Sequence, residues 1–161
     1  MTDSVEGRVL NLWQRWGKTA FGRRLYSLML GYMVPYSGSI RPLVLRLERG
    51  YVCIELRDRH ALRNHLHSIH AIALANLGEL ASGLAMLSML PDNVKAIVIR
   101  LEIEYLKKAR GRLLAIGRAD SPAMITAEPV THIVYAEISD AAGDVVARLN
   151  VHWQLRPKDT L

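Results

Sequence analysis

A single carboxylate stands in the middle of a long stretch that is otherwise uncharged. Residues 64–91 carry one formal charge, that of Glu79, among regularly spaced Leu and Ala residues. Burying an unpaired carboxylate costs several kcal/mol, so an acid in an apolar helix is expected to have a chemical purpose. The chemistry that it can supply is general base or nucleophilic catalysis. The alternative is a structural acid that is paired with a core Arg or His, or that faces solvent.

The residues just before this carboxylate could supply the other parts of a site. The apolar spacing predicts a helix from about Ser68 to Leu90. The first N–H groups of a helix have no partner within it and form a positive dipole end, so the N–H near Ala71 can stabilise a developing oxyanion. Asn64 can orient a water molecule or a carbonyl, although an Asn ahead of a helix is equally typical of a cap or a turn.

The spacing along this helix predicts a site that two chains share. Ala71 and Glu79 are eight residues apart, which is about 12 Å along a helix at about 1.5 Å per residue. The two groups of one chain therefore cannot both reach one carbonyl carbon. If two such helices lie antiparallel across a two-fold axis, Glu79 of one chain faces Ala71 and Asn64 of the other, and a dimer has two equivalent sites.

The segment from Asn64 to Glu79 also resembles the active-site stretch of hotdog-fold acyl-CoA thioesterases of the phenylacetic-acid-pathway type. In that family an Asn or Gln lies six residues before a His-Gly-Gly, and an Asp or Glu lies nine residues after the His. Both spacings occur here, from Asn64 to His70 and from His70 to Glu79. The segment 103–111, Ile-Glu-Tyr-Leu-Lys-Lys-Ala-Arg-Gly, is similar to the strand that follows the helix in these enzymes. The resemblance covers residues 40–157.

This resemblance implies an α+β hotdog fold, in which an antiparallel sheet wraps around one long central helix. It implies hydrolysis of an acyl-CoA or related thioester by homodimers, often paired into homotetramers, with no metal or redox cofactor. Glu79 is then the general base or nucleophile, the Ala71 N–H the oxyanion donor and Asn64 the orienting group. The residues expected to contact substrate are His70, Ile72, Gly83, Lys107, Lys108 and Arg110. Basic side chains at a strand end suit the phosphates of coenzyme A, although such a run is also typical of a solvated surface.

The chain departs from the family pattern at the paired glycines. Ala71 and Ile72 stand where the family has two glycines, and Gly83 lies near a position where some relatives carry a hydroxyl residue. A backbone N–H survives the change from Gly to Ala, whereas Ile72 adds bulk where a ligand would approach. The departure leaves open an alternative function, a non-catalytic hotdog domain that binds acyl groups or a protein partner.

Two short helices are predicted ahead of this region. Residues 4–34 have a helical spacing that breaks around Gly17 to Gly22. Their apolar positions are expected to pack on the domain rather than on a membrane surface. In the second helix these positions are Leu25, Leu28, Met29 and Tyr32.

The remaining pattern predicts strands. Residues 43–56 alternate with period two around an Arg49-Gly50 turn and predict a hairpin, with Leu43, Leu45 and Leu47 on one face. After the helix, further strands are predicted over residues 97–105, 113–119, 131–138 and 145–156. This order predicts one α+β domain in which the sheet wraps around the long helix. The resemblance implies that this is a single hotdog domain over residues 1–161, with an N-terminal helical extension at 1–38 and a core at 40–157.

Composition limits the compartment and the partners. Of 161 residues only Cys53 is a cysteine, and neither a leader nor a membrane span is visible, so a cytoplasmic protein is expected. The net charge of +6 suits a phosphorylated ligand, with acyl-CoA as the expected substrate. Nucleic acid is not expected, because the basic residues are not interleaved with stacking aromatics. Weak contact of the basic N-terminal segment with a membrane surface remains an alternative.

A metal site is not expected. His60, His65, His67 and His70 have the short spacing that a zinc site can use, but no Cys pair accompanies them. Histidines at a junction between a loop and a helix are common without a metal.

Overall fold

A computed structural model describes residues 5–122 and 128–158 of the chain. Its helices are α1 (Val5–Trp16), α2 (Ala20–Met33), α3 (Pro35–Ser39) and α4 (Ala71–Leu87), with a single 3₁₀ turn at His60–Leu62. The break predicted between the first two helices is confirmed. Thr19 caps α2, where its side chain accepts a hydrogen bond from the Gly22 N–H at 3.0 Å.

The strands form one antiparallel sheet. They are β1 (Leu43–Glu48), β2 (Tyr51–Leu56), β3 (Val94–Tyr105), β4 (Leu113–Arg118), β5 (Val130–Ser139) and β6 (Val145–Pro157). Their order across the sheet is β1-β2-β4-β5-β6-β3, so that β1 and β3 are the two edges. The predicted hairpin and the strands after the helix are confirmed.

The sheet packs around α4 through small residues at the points of closest approach. Gly78 faces the Leu149 side chain of β6, and a Cβ at that position would overlap it. In β4, Gly117 lies against the carbonyl of Ala81 in the same way. Bulky apolar side chains, among them the fully buried Leu77, fill the space around these contacts. This arrangement is the α+β hotdog fold that the sequence predicts.

The face pattern predicted for β1 is wrong. Alternation placed Leu43, Leu45 and Leu47 together, but the register shifts between Val44 and Arg46. Val44 is completely buried and so is nearly all of Leu47, whereas Leu43 and Leu45 are only partly covered. A β-bulge inserts one extra residue and moves the following side chains to the other face, which a strict period of two cannot anticipate.

The prediction of which face of α2 packs on the domain is also wrong. Tyr26 and Leu30 are buried on the domain, whereas Leu25, Leu28 and Tyr32 are exposed and Met29 is only half-buried. Trp13 of α1 packs edge-to-face on Tyr26, with ring centroids 5.1 Å apart. The inner face of α2 is therefore apolar, and its outer face carries a second apolar stripe in solvent.

Candidate active site

A tight turn ahead of α4 fixes the position of Asn64. The turn is closed by a bridge between Arg63 and Ile69. Within it the Asn64 Oδ1 accepts hydrogen bonds from the Leu66 N–H at 2.9 Å and from the N–H and hydroxyl of Ser68 at 3.2 and 3.1 Å. The oxygen of Asn64 therefore has the turn-forming role that the sequence left open. Its Nδ2 amide group has no hydrogen-bond acceptor within residues 5–122 and 128–158, and it is the part of Asn64 that can contact a ligand.

The first turn of α4 leaves one backbone donor without an acceptor. His70 is the N-cap: its Nδ1 accepts from the Ile72 N–H at 3.1 Å. Its carbonyl accepts from the N–H groups of Ala73 and Leu74 at 2.9 and 3.2 Å. For the Ala71 N–H the described part of the chain offers no acceptor. The positive end of the α4 dipole thus presents a donor at the residue expected to bind an oxyanion.

Asn64 and Ala71 line the same cavity, together with part of the predicted basic group. The cavity has a volume of about 340 Å³, which is at the small end of ligand sites. Tyr105, the last residue of β3, borders it and donates a hydrogen bond from its hydroxyl to the Ala71 carbonyl at 3.0 Å. The lining residues are Asn64, Leu66, Ser68, Ile69, Ala71, Leu74, Tyr105, Leu106, Lys107, Lys108 and Ala109.

Glu79 lies apart from this cavity. It is eight residues beyond Ala71 on the continuous helix α4, so the two positions are about 12 Å apart along the axis. Its half-buried carboxylate has no hydrogen-bond or ion-pair partner among the described residues, and burial raises the pKa of that carboxyl above its ordinary value. Glu79 shares an open stripe of the helix with Ile72 and Ala75, of which Ile72 is 55% exposed. We call Ile72, Ala75 and Glu79 the α4 stripe.

The basic residues after β3 have different environments. The Lys107 ammonium contacts the carboxylates of Asp140 and Asp144 at 2.7 and 2.6 Å, which neutralise its charge. Arg110 donates to the Leu66 carbonyl at 3.3 Å and thereby links this segment to the Asn64 turn. The exposed Lys108 has no ion-pair partner in the described part of the chain. Of the predicted phosphate-binding residues, Lys108 and Arg110 are therefore available to a ligand. Lys107 is already held in ion pairs with Asp140 and Asp144.

Gly83 lies in the interior. It is buried against Trp153 of β6, and a Cβ at this position would lie 3.3 Å from the indole ring. The same indole donates its N–H to the Ser82 hydroxyl at 3.3 Å. This geometry gives Gly83 a packing role, and Gly83 does not line the cavity that contains Asn64 and Ala71.

The histidines before α4 occupy separate positions. His60 begins the 3₁₀ turn, His67 has a left-handed backbone with φ of 54°, and His70 caps the helix. No group of three or more His, Cys, Asp or Glu side chains in residues 5–122 and 128–158 is placed to hold a metal ion.

Two of the cavity residues that the sequence did not predict hold the site in place. Tyr105 fixes the first turn of α4 through the Ala71 carbonyl, and the buried Ser68 holds the Asn64 oxygen. Tyr105 and Ala71 are 34 residues apart in sequence, so no local spacing could have connected them. The sequence feature that could have pointed to Tyr105 is the alternation of β3, which puts Tyr105 on the same face of the strand as Ile103.

Solved structures similar to this chain share its hotdog fold. A structural-genomics protein is 26% identical, with a TM-score of 0.79 over 92% of this chain and 98% of that one. A Pseudomonas aeruginosa protein of unknown function, described as a "probable thioesterase", is 24% identical, with a TM-score of 0.70 over 86% and 96%. A Streptococcus mutans UA159 protein bound to acetyl CoA is 21% identical, with a TM-score of 0.61 over 73% and 90%. No curated protein matches the chain.

These likenesses and the sheet topology define the chain as a hotdog-fold protein, as the resemblance implied. Residues 22–155 match a family model described as "Domain of unknown function (DUF4442)". The chain belongs to that family.

Proposed function

We propose that the protein hydrolyses the thioester of an acyl-CoA or a related acyl thioester. The observation that carries the proposal is the Glu79 carboxylate, which is half-buried, raised in pKa and without a partner in the described part of the chain. A structural acid in an apolar helix would be expected to have a partner, because an unpaired buried carboxylate destabilises the fold. A raised pKa brings a carboxylate closer to the value that suits a general base near neutral pH.

The site is proposed to form between two chains. Within one chain Glu79 does not reach the cavity at Ala71, and the α4 stripe places exposed apolar surface beside the carboxylate. The neighbouring edge strand β3 also exposes Ile97 and Ile99, at 49% and 51%. An uncovered edge strand with apolar side chains favours association with another copy. Two α4 helices that lie antiparallel would bring Glu79 of the second chain to Asn64 and Ala71 of the first.

The residues have distinct roles in the proposed reaction. The Ala71 N–H donates to the thioester oxygen, where negative charge develops as the carbonyl carbon becomes tetrahedral. The Asn64 Nδ2 amide orients the water molecule or the carbonyl. Glu79 accepts the proton of the attacking water, the carbon–sulfur bond then breaks, and the leaving thiolate takes a proton to give the free thiol and the acid. In the nucleophilic variant the Glu79 carboxylate attacks the carbonyl carbon and the carbon–sulfur bond breaks, so that the thiolate leaves and takes a proton from solvent. Water then hydrolyses the resulting anhydride to the free acid and regenerates Glu79.

The chemistry around the cavity supports coenzyme A as the thiol part of the substrate. Lys108 and Arg110 are exposed cations beside the cavity, and phosphates bind well to such side chains. The Streptococcus mutans protein of the same fold was solved with acetyl CoA. Ile72, which stands where the resembling enzymes have a glycine, does not line the cavity.

Thiol release from a panel of acyl-CoA substrates tests this function. We expect turnover by the wild type and a fall of about 100-fold or more in Glu79→Gln, which keeps the shape of the side chain and removes the base. Glu48→Gln, at an exposed carboxylate on β1, is the matched control and should retain full activity. Binding of acyl-CoA without thiol release by the wild type would instead establish the non-catalytic alternative, and unchanged turnover in Glu79→Gln would remove Glu79 from the mechanism.

A further inference from the structure

Helix α2 carries an apolar stripe on its solvent side. Phe21, Leu25, Leu28 and Tyr32 recur at spacings of three and four residues, so they lie on one face of the helix. They are 77%, 40%, 73% and 87% exposed. The opposite face, with Tyr26 and Leu30, is the one that packs on the domain. We call the exposed set the α2 stripe.

The segment that contains the α2 stripe has a strongly uneven charge. Residues 7–47 include seven Lys or Arg and no Asp or Glu. The rest of the chain holds the other 14 basic residues and all 15 acidic residues, so this segment carries +7 and the remainder −1 of the net charge of +6. Two exposed cations lie near the α2 stripe: Lys18 just before the helix and Arg24 within it. Arg24 and Arg41 also border an apolar cavity of about 450 Å³ beside Leu28. An apolar stripe flanked by cations is complementary to a surface with anionic head groups above hydrocarbon.

Helix α2 lies beside the edge of the sheet opposite the strand proposed for the dimer contact. Ser27 of α2 accepts a hydrogen bond on its hydroxyl from the Val44 N–H of β1 at 2.9 Å. Strand β1 is the edge of the sheet opposite β3. Phe21, Leu28 and Arg24 are exposed in the single chain. None of the described helices combines the length and hydropathy required to cross a bilayer, so any membrane contact through α2 is made at the surface.

We propose that the α2 stripe docks on the surface of an anionic lipid bilayer. Phe21 and Leu28 enter the boundary between head groups and acyl chains, and Lys18, Arg24 and Arg41 face the anionic head groups. The binding depends on both the apolar area and the charge, because neither a short apolar stripe nor a few exposed cations alone holds a protein firmly to a membrane. Screening by salt weakens the charge contribution, since the Debye length shortens from about 8 Å at 0.15 M to about 3 Å at 1 M salt.

Co-sedimentation of the full chain with liposomes tests the proposal. The probes are vesicles of phosphatidylcholine alone and vesicles with phosphatidylglycerol added, each at low and high salt. The test variant is Phe21→Ser with Leu28→Ser, at two side chains that are already in solvent and contribute little to folding. Ile133→Thr, at a 55% exposed apolar side chain on β5, is the matched control. Arg24→Gln tests the charge.

We expect the wild type and Ile133→Thr to sediment with the anionic vesicles at low salt and to be released at high salt. The double variant should lose about tenfold or more in partitioning, and Arg24→Gln should lose a smaller factor. Failure of the wild type to bind anionic vesicles, or equal binding by the double variant, would overturn the proposal. A fall in the solution mass of the double variant would also overturn it, because the stripe would then be a contact between copies of the chain.

Discussion

Glu79 and Ala71 are complementary groups that one chain keeps apart. Glu79 is an acceptor without a donor in the described part of the chain, and the Ala71 N–H is a donor without an acceptor there. A buried donor or acceptor that has no hydrogen-bond partner lowers the stability of the folded chain. That stability is recovered only if a ligand or a second chain supplies the partner. The two groups can therefore be tested through stability as well as through activity.

The raised pKa of Glu79 predicts a pH-dependent cost to folding. The folded state binds this proton more tightly than the unfolded state, so stability is lost as pH rises from the ordinary pKa of the carboxyl through its raised value. We expect Glu79→Gln to raise the thermal midpoint above that of the wild type near pH 7, and the difference to vanish near pH 3, well below the ordinary pKa, where the carboxyl is protonated in both states. Thermal unfolding at the two pH values measures this.

Glu48→Gln is the control for this measurement, because the pKa of the Glu48 carboxyl is shifted in the opposite direction. Arg46 lowers the pKa of the Glu48 carboxyl through a hydrogen bond, so its ionised form favours the folded state above the ordinary pKa and that contribution is lost as pH falls. The variant should be no more stable than the wild type near pH 7. A Glu79→Gln variant that is less stable than the wild type at that pH would mean that the carboxylate has a stabilising partner in the assembled protein.

At the scale of elements, α4 depends on its first turn and on the turn before it. His70 caps the helix through its ring nitrogen and its carbonyl, and Asn64 closes the preceding turn. Together they fix the first turn of α4, where Ala71 lines the cavity. The same turn is tied to the segment after β3 by the hydrogen bond from the Ile69 N–H to the Ala109 carbonyl at 2.8 Å.

Loss of the cap at His70 should weaken the fold by a measurable amount. His70→Ala removes the acceptor for the Ile72 N–H and should lower the free energy of unfolding by about 1 kcal/mol. His70→Asn supplies another cap and should stay close to the wild type. Urea unfolding followed by circular dichroism gives both values. Equal stability of the Ala and Asn variants would show that the cap contributes nothing.

The elements were largely predictable because their patterns are local. The period of the apolar residues in α4, the Arg49-Gly50 turn and the alternation of β6 each follow from neighbouring positions. The bulge in β1 and the exposure of Leu28 were not predictable, because they depend on which surface other elements cover. The site shows the same division. The spacing from Asn64 to Glu79 is local, whereas the pairing of Lys107 with Asp140 joins residues 33 positions apart.

At the scale of the whole molecule, the proposed site requires two chains. The cavity at Ala71 and the carboxylate of Glu79 lie on one rigid helix, so no bending of a single chain brings them together. Helix α4 contacts the edge strand β3, and the α4 stripe and this edge are the surfaces on which we propose that a second copy packs. The α2 stripe lies by the opposite edge of the sheet, so a dimer would present one such stripe from each chain.

Mixing two inactive variants tests the shared site most directly. Asn64→Asp keeps the oxygen that closes the turn and removes the Nδ2 amide donor, and Glu79→Gln removes the base. Each variant alone should be inactive, and subunit exchange between them is verified with tagged chains in a pull-down. A random mixture contains about half heterodimers with one intact site each, so about a quarter of wild-type thiol release should return. Complete exchange with no regained activity would contradict a catalytic site built from two chains.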